Sequence, residues 1–344
     1  MDDIERIALL IGVGENPEAE HILPSLAATV TTDLGVLGAA LEGSGYTVET
    51  LLNPSRNAIA ERISTVSSSA PRGSTLLLYF TGHGVRIGTT DYLVPSDARA
   101  PADQDDAAGW EQPHVQESLL AADISRYLSK CTAGTVLWLI DACRWGQQGP
   151  AFGSNVIKGP PHSGFAMMTG CGPGEPSGFA ERGSFFTSAL AQAFDPLTEA
   201  TTVEQVYEQA RRDTRTFSMR AQAGTQQVLI HYGTDLAERT RSLEVAEGRR
   251  LLEAWQDAIR TPALWDRVPD GDAEAVAHFQ DCLSSLATDT ARHVHRAQKR
   301  LPDPWMDDEY PVRLLTDRLP RLLPKDAELS ALEVTALIAG VLLH

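Results

Sequence analysis

The chain of 344 residues has few cysteines, no long apolar run and no excess of basic residues. Its four cysteines stand far apart in the sequence, at Cys131, Cys143, Cys171 and Cys282. None forms the C-x-x-C pair that is typical of zinc sites and redox dithiols, so we expect no metal or other cofactor held by cysteine. Free thiols fit a reducing compartment, and we therefore expect a cytoplasmic protein.

Two further absences exclude classes of partner. No stretch reaches the roughly 18 apolar residues that a membrane helix needs, and the acidic N-terminus differs from a signal peptide. The 29 Lys and Arg against 46 Asp and Glu give a net charge of −17. Because phosphate binding requires clustered basic residues, we expect neither nucleic acid nor a membrane as partner. The 42% of hydrophobic residues suffices for a buried core.

Strand and helix patterns alternate along the first two thirds of the chain. Strands are predicted at 6–13, 46–52, 74–81, 92–95, 135–140, 165–169 and 227–231. Helices are predicted at 26–45, 54–69, 118–130, 184–194 and 203–219. Strands that are apolar on both faces and alternate with helices indicate an α/β fold, in which a mostly parallel six-stranded sheet is doubly wound.

Strand patterns stop near residue 240. The remaining sequence predicts helices at 242–260, 272–300, 311–323 and 327–343, separated by prolines. We therefore predict two domains, an α/β domain over 1–238 and a smaller all-helical region over 239–344. A helical appendage of this kind is typical of a regulatory module on which a protein partner docks.

Two motifs follow neighbouring predicted strands. The segment TGHG at 81–84 follows the third long strand, and DACR at 141–144 follows the fourth. Ligands of doubly wound sheets bind beyond the carboxyl ends of the strands, so His83 and Cys143 would face one crevice if these strands are adjacent. There the imidazole would take the thiol proton, and the thiolate would attack a carbonyl. The backbone N–H groups of Gly84 and Cys143 are candidates to hold the oxyanion that forms.

These segments resemble the caspase-like clan of cysteine peptidases, which includes caspases and metacaspases. The similarity spans about residues 5–232 and lies in YFTGHG at 79–84, DYLVPSDA at 91–98, DACRWG at 141–146 and GSFFTSAL at 183–190. It implies that His83 and Cys143 form a catalytic dyad, that Gly84 contributes to the oxyanion hole, and that the substrate is a peptide or protein. We expect a cysteine endopeptidase, within a regulated stress or defence pathway. The alternative is a catalytically silent adaptor that acts through its helical region.

The sequence differs from caspases at the pocket residues with which caspases recognise an aspartate before the cleaved bond. No Lys or Arg occurs between Ile7 and Ser55, and Ala27 stands near the place where a caspase has a pocket Arg. Metacaspases, which cut after Arg or Lys, have an Asp at the position of Asp141. A carboxylate in a pocket favours a cationic side chain, so the predicted cleavage is after Arg or Lys. Alternatively, Asp141 only caps a turn.

Other acidic residues carry weaker expectations. Glu175 and Glu181 lie in the loop where metacaspases supply a second acid to the pocket, although neither matches cleanly, and we take Glu175 as a substrate-binding candidate. A loop contains Asp97, Asp103, Asp105 and Asp106, which could bind Ca²⁺ as in some metacaspases. The alternative for these four is that they are solvated loop residues.

Overall fold

A computed structural model describes residues 4–246, except 104–105, 144, 147–158, 161–162, 173–174, 181–182, 196–199, 225 and 234–235. The chain divides into two units, residues 1–247 and 248–344. The second unit lies outside the described residues, so the helices expected there and the boundary at 238/239 stay predictions. In the described part of the chain, no helix is long and apolar enough to cross a membrane.

A six-stranded sheet forms the centre of the first unit. Elements are numbered in chain order, and its strands are β1 (Arg6–Val13), β2 (Tyr46–Leu52), β3 (Thr75–Gly82), β7 (Thr135–Ala142), β9 (Gly164–Thr169) and β12 (Leu229–Tyr232). Their spatial order is β12-β9-β7-β3-β1-β2, with β12 antiparallel to β9 and all other pairs parallel. The predicted mostly parallel six-stranded sheet is confirmed.

Two smaller sheets flank the carboxyl edge. One is ordered β6-β5-β4-β8, from β4 (Gly84–Ile87), β5 (Thr90–Leu93), β6 (Leu120–Ala121) and β8 (Trp145–Gly146), and the other pairs β10 (Phe179–Ala180) with β11 (Gly183–Ser184). The helices are α1 (Ala27–Gly43), α2 (Arg56–Ser69), α3 (Ala107–Trp110), α4 (Pro113–Gln116), α5 (Phe185–Ala193), α6 (Val203–Arg220) and α7 (Ala237–Arg241), with a 3₁₀ turn at Ser125–Leu128.

Helices cover both faces of the central sheet. On one face Leu9 and Ile11 of β1 share a buried cluster with Ile59 of α2. On the other face, Tyr79 of β3 lies 2.5 Å from the Thr187 hydroxyl of α5. Successive side chains of a strand point to opposite faces, so strands that are apolar throughout must be covered twice.

The predicted helix over 118–130 is wrong. Leu120 and Ala121 instead form β6, in which Leu120 pairs with Leu93 of β5. Asp123 then accepts a hydrogen bond from the Ser125 N–H and starts the 3₁₀ turn. The apolar spacing fitted a helix, but the strand pairing and the aspartate turn compete for the same backbone groups.

The register of the central sheet brings the two sequence motifs together. In the parallel pair of β3 and β7, Thr81 stands opposite Asp141 and Gly82 opposite Ala142. Both strands therefore end at the same level, and the residues that follow them, His83 and Cys143, emerge side by side at the carboxyl edge.

Candidate active site

A cavity of about 290 Å³ opens at the carboxyl ends of β3 and β7. His83, Gly84, Asp141 and Cys143 all line it. The structure thus places four of the five predicted site residues around one space. Its remaining walls are mostly apolar and come from the segment before α1, from Trp110 and from the loop that precedes β10.

Glycines allow the backbone to approach closely beside the cavity. Gly82 has a φ of 149°, and a Cβ there would lie 2.6 Å from the carbonyl oxygen of Val13. At Gly84 a Cβ would lie 2.4 Å from the carbonyl oxygen of Cys143. Any side chain at these positions would displace the neighbouring backbone, which explains the glycines on both sides of His83.

The tautomer of His83 follows from its hydrogen bond. Its Nε2 lies 2.8 Å from the carbonyl oxygen of Pro24, which can only accept, so Nε2 carries a hydrogen. Burial lowers the pKa of His83 below its ordinary value, and the Pro24 carbonyl partly opposes this shift. The imidazole is therefore neutral at neutral pH, and Nδ1 is left as a proton acceptor.

Two asparagines hold the segment that carries Pro24. Asn53, at the end of β2, adopts a φ of 49° and accepts hydrogen bonds from the N–H groups of Gly14 and Glu15. Asn16 is buried and donates from Nδ2 to the carbonyl oxygen of Pro95, at 2.7 Å. Asparagine tolerates the left-handed conformation better than most residues, and its amide can replace backbone partners in a loop.

The Cys143 thiol contacts the loop before β10. Its Sγ accepts a hydrogen bond from the Ser177 N–H at 3.4 Å. Burial raises the pKa of Cys143 above its ordinary value, and this hydrogen bond only partly compensates. The sulfur is thus mainly a protonated thiol at neutral pH and needs a base to become a nucleophile.

Asp141 lies at the end of β7 with its carboxylate buried. It accepts hydrogen bonds from the Ser177 hydroxyl and from the N–H and the hydroxyl of Thr187. The side chain therefore lines the cavity and also anchors two other segments.

Asp33 of α1 is the residue that the sequence analysis missed. It is 1% exposed and accepts hydrogen bonds from the Thr81 hydroxyl and from the N–H and the hydroxyl of Ser184. Burial, and secondly the charge of Asp141, raise the pKa of Asp33 from 3.8 to about 7. Its signal in the sequence is a lone acid on an apolar helix face, three residues after Val30 and four before Leu37.

The two aspartates form a buried pair that contacts no basic residue in the described part of the chain. The six hydrogen-bond donors that the described residues provide to them are all neutral hydroxyl or amide groups. Burial also raises the pKa of Asp141. Two buried carboxylates without a counter-ion are costly, so the pair favours retaining a proton.

The other acidic candidates that the structure describes are not among the residues that line the cavity. Glu175 does not line the cavity, because its Oε2 accepts the Gly172 N–H within its own loop. Asp97 accepts the N–H of Arg56, and Asp106 accepts that of Gly109. Glu181 and Asp105 are outside the described residues. Over the described ranges, no group of three acidic, histidine or cysteine side chains could hold a metal ion.

Comparison with known proteins identifies the family of the chain. No curated protein matches the chain. Among solved structures, it is similar to a protein from Geobacter sulfurreducens at 14% identity and a TM-score of 0.48, covering 70% of this chain and 97% of that one. A family model named iHD-CE matches residues 255–344. The caspase-domain peptidase model matches residues 5–235, more than half of the chain. The chain therefore belongs to the caspase-like family of cysteine peptidases.

Proposed function

We propose that the protein is a cysteine endopeptidase that cleaves peptide bonds after Arg or Lys, with His83 and Cys143 as its dyad. The peptidase chemistry is supported by a neutral imidazole and a thiol on the walls of one cavity. The specificity is carried by one observation, the buried pair of Asp33 and Asp141 that contacts no basic side chain in the described part of the chain.

The protonation states favour general-base catalysis over a preformed ion pair. Nδ1 of His83 takes the thiol proton as Sγ of Cys143 bonds to the substrate carbonyl carbon. The carbonyl oxygen becomes an oxyanion, for which the N–H groups of Gly84 and Cys143 are the proposed donors. The protonated imidazole then gives its proton to the leaving amine, and a thioester remains on Cys143. Water, deprotonated by His83, hydrolyses that thioester and restores the thiol.

The aspartate pair explains why the residue before the cleaved bond should be basic. Asp141 and two donors of the pair, the Thr81 and Ser184 side chains, come from residues that line the cavity. A guanidinium or ammonium group entering there would replace the proton of the pair as its positive charge, whereas an acidic side chain would add a further buried negative charge. Because a buried charge is costly without a partner, the pair should discriminate strongly between these side chains.

The test is cleavage of peptides that differ only before the cut, with Arg, Lys, citrulline or Asp at that position. Citrulline keeps the size of arginine without its charge, and we expect kcat/KM to fall about a hundred-fold or more from Arg to citrulline. Cys143→Ala should abolish cleavage, whereas Cys131→Ala, which removes a buried thiol outside the cavity, should retain it.

Other outcomes would contradict the proposal in distinct ways. Activity that survives Cys143→Ala would show that Cys143 is not the nucleophile. Equal cleavage of the Arg and citrulline peptides would show that the aspartate pair does not recognise a cationic side chain. A protein that cleaves none of the peptides, with EDTA or with Ca²⁺, would support the alternative of a silent adaptor that works through residues 239–344.

A further inference from the structure

The short strand β11 and the first turn of α5 together support both aspartates of the buried pair. This support segment, residues 183–187, contributes four of the six donors. Ser184 binds Asp33 through its N–H at 2.8 Å and its hydroxyl at 2.6 Å. Thr187 binds Asp141 through its N–H at 3.1 Å and its hydroxyl at 2.5 Å. Two carboxyls that are 108 positions apart in the sequence are thus held by residues that are three positions apart.

The hydrogen bonds of Thr187 have a defined direction. Its hydroxyl has one proton, which it donates to Asp141, so the Tyr79 hydroxyl at 2.5 Å must donate to Thr187. Neither Tyr79 nor Thr187 is accessible to solvent. Donors that point in one direction polarise each other, and this strengthens the hydrogen bond that reaches the carboxylate.

The first residue of the support segment is adapted to this contact. Gly183 has a φ of 108°, and a Cβ there would lie 2.7 Å from Oδ1 of Asp33. A side chain at this position would push the segment away from α1. The glycine therefore permits the approach that brings the Ser184 N–H to the carboxylate.

We propose that Ser184 and Thr187 are positioning residues for recognition of the basic side chain, which keep Asp33 and Asp141 ionised and oriented when the cation is bound. This inference rests on the proposed cleavage after Arg or Lys. Donors that bind the charged form of a carboxyl favour that form, and hydrogen bonds on both sides restrict its rotation. Loss of one hydroxyl should weaken binding of the cation and leave the chemistry at Cys143 unaffected.

The pH dependence provides a second measurement. Removing a donor to the carboxylate raises the pKa of the pair, so the acid limb of kcat/KM for an Arg peptide should move to higher pH. Among the described residues, the titratable groups around the pair are the two aspartates themselves, Tyr79 from β3 and Cys143 after β7. His83 lines the same cavity and also titrates on the acid side, but it is the same in all variants compared, so a shift between variants reports the pair.

The experiment compares Thr187→Val with Thr187→Ser and Thr214→Val. Thr187→Val removes the hydroxyl at nearly constant size. Thr187→Ser keeps a hydroxyl and removes only the methyl group. Thr214→Val is the matched control, because Thr214 is a buried threonine of α6 whose hydroxyl has no hydrogen-bond partner among the described residues. For Thr187→Val we expect KM for an Arg peptide to rise about ten- to a hundred-fold, with kcat within about three-fold of the wild-type value. The other two variants should stay close to the wild type.

A binding measurement separates recognition from catalysis. Agmatine, which carries the arginine guanidinium, is titrated calorimetrically into the Cys143→Ala protein with and without Thr187→Val. We expect the same ten- to hundred-fold loss of affinity. If the Thr187→Val protein does not fold, Ser184→Ala serves instead, because it removes one hydroxyl and keeps the N–H bond to Asp33.

The outcomes distinguish this inference from the function on which it rests. If the wild type cleaves after Arg and Thr187→Val has an unchanged KM, or loses only kcat, the inference is overturned and the proposed function remains. An equal loss in Thr187→Ser would also overturn it, because packing would then be the cause. If the wild type does not cleave after Arg and the Cys143→Ala protein does not bind agmatine, both are overturned.

Discussion

Replacing Asp33 by asparagine should stabilise the protein at alkaline pH while removing the proposed preference for basic substrates. The asparagine can occupy the same site, because its oxygen can accept the Ser184 N–H while the Ser184 and Thr81 hydroxyls turn to accept from its NH₂ group. The variant leaves Asp141 as the single carboxyl of a pair that contacts no basic residue in the described part of the chain. It therefore avoids the cost of ionising a buried acid.

The magnitude follows from the pKa of Asp33. Since burial raises it from 3.8 to about 7, the folded protein binds a proton between these values that the unfolded chain has released. The free energy of unfolding must then fall as the pH rises from about 4 to about 7 and level off above that. About three pKa units, at about 1.4 kcal/mol each, amount to about 4 kcal/mol. Asp33→Asn lacks this loss. The difference in free energy of unfolding between the variant and the wild type should therefore grow by about that amount, in favour of the variant, from pH 4 to pH 8.

Urea unfolding at several pH values between 4 and 8 measures this difference. Titrating groups that do not interact with Asp33 cancel when the pH dependence of the wild type is subtracted from that of the variant. Asp141 does not cancel, because replacing Asp33 removes a charge that it interacts with, so the difference reports the pair of aspartates. Asp123→Asn, which removes an exposed carboxyl of the same unit, is the control and should shift the difference by less than about 1 kcal/mol. Cleavage of Arg peptides by Asp33→Asn should fall about a hundred-fold.

The reasoning fails if Asp33→Asn is less stable than the wild type at pH 8 and the gap does not narrow as the pH rises. In that case the folded protein would stabilise the ionised carboxylate, and the pair would not need a bound cation to be ionised. An unchanged preference for Arg over citrulline in the variant would separately exclude Asp33 from the pocket.

Two further predictions concern the backbone around the dyad. Gly84→Ala should lower kcat at least about a hundred-fold with little change in KM, because its Cβ would displace the Cys143 carbonyl and with it a proposed oxyanion donor. Steady-state kinetics measure this change. A normal kcat would show that Gly84 does not contribute to catalysis. Asn16→Ala should lower kcat several-fold and raise the lowered pKa of His83 toward its ordinary value. Release of the segment that carries Pro24 exposes the imidazole, and burial affects this pKa more than the Pro24 hydrogen bond that opposes it. The pH profile of kcat/KM checks this second prediction, and a loss without a shift of the profile would indicate destabilisation only.

The sequence alone was sufficient for the positions of the two motifs relative to the sheet. Strands β3 and β7 are apolar on both faces and end in glycine or alanine, so their ends, and hence the placement of His83 and Cys143, follow from local pattern. The same logic failed at 118–130. There the apolar spacing is compatible with both a helix and a strand, and the pairing of Leu120 with Leu93 decided between them.

What the sequence determined by itself is the chemistry that can occur at one edge of the sheet, because a thiol, an imidazole and a glycine follow two predicted strands. What only the tertiary structure decided is the partner of Asp141. Asp33 lies 108 residues away, on an apolar face of α1, and it is held beside Asp141 by the support segment, whose Ser184 donates to it. Burial and mutual repulsion then raise the pKa of Asp33 to about 7, and these are properties of the packed interior that no local pattern encodes.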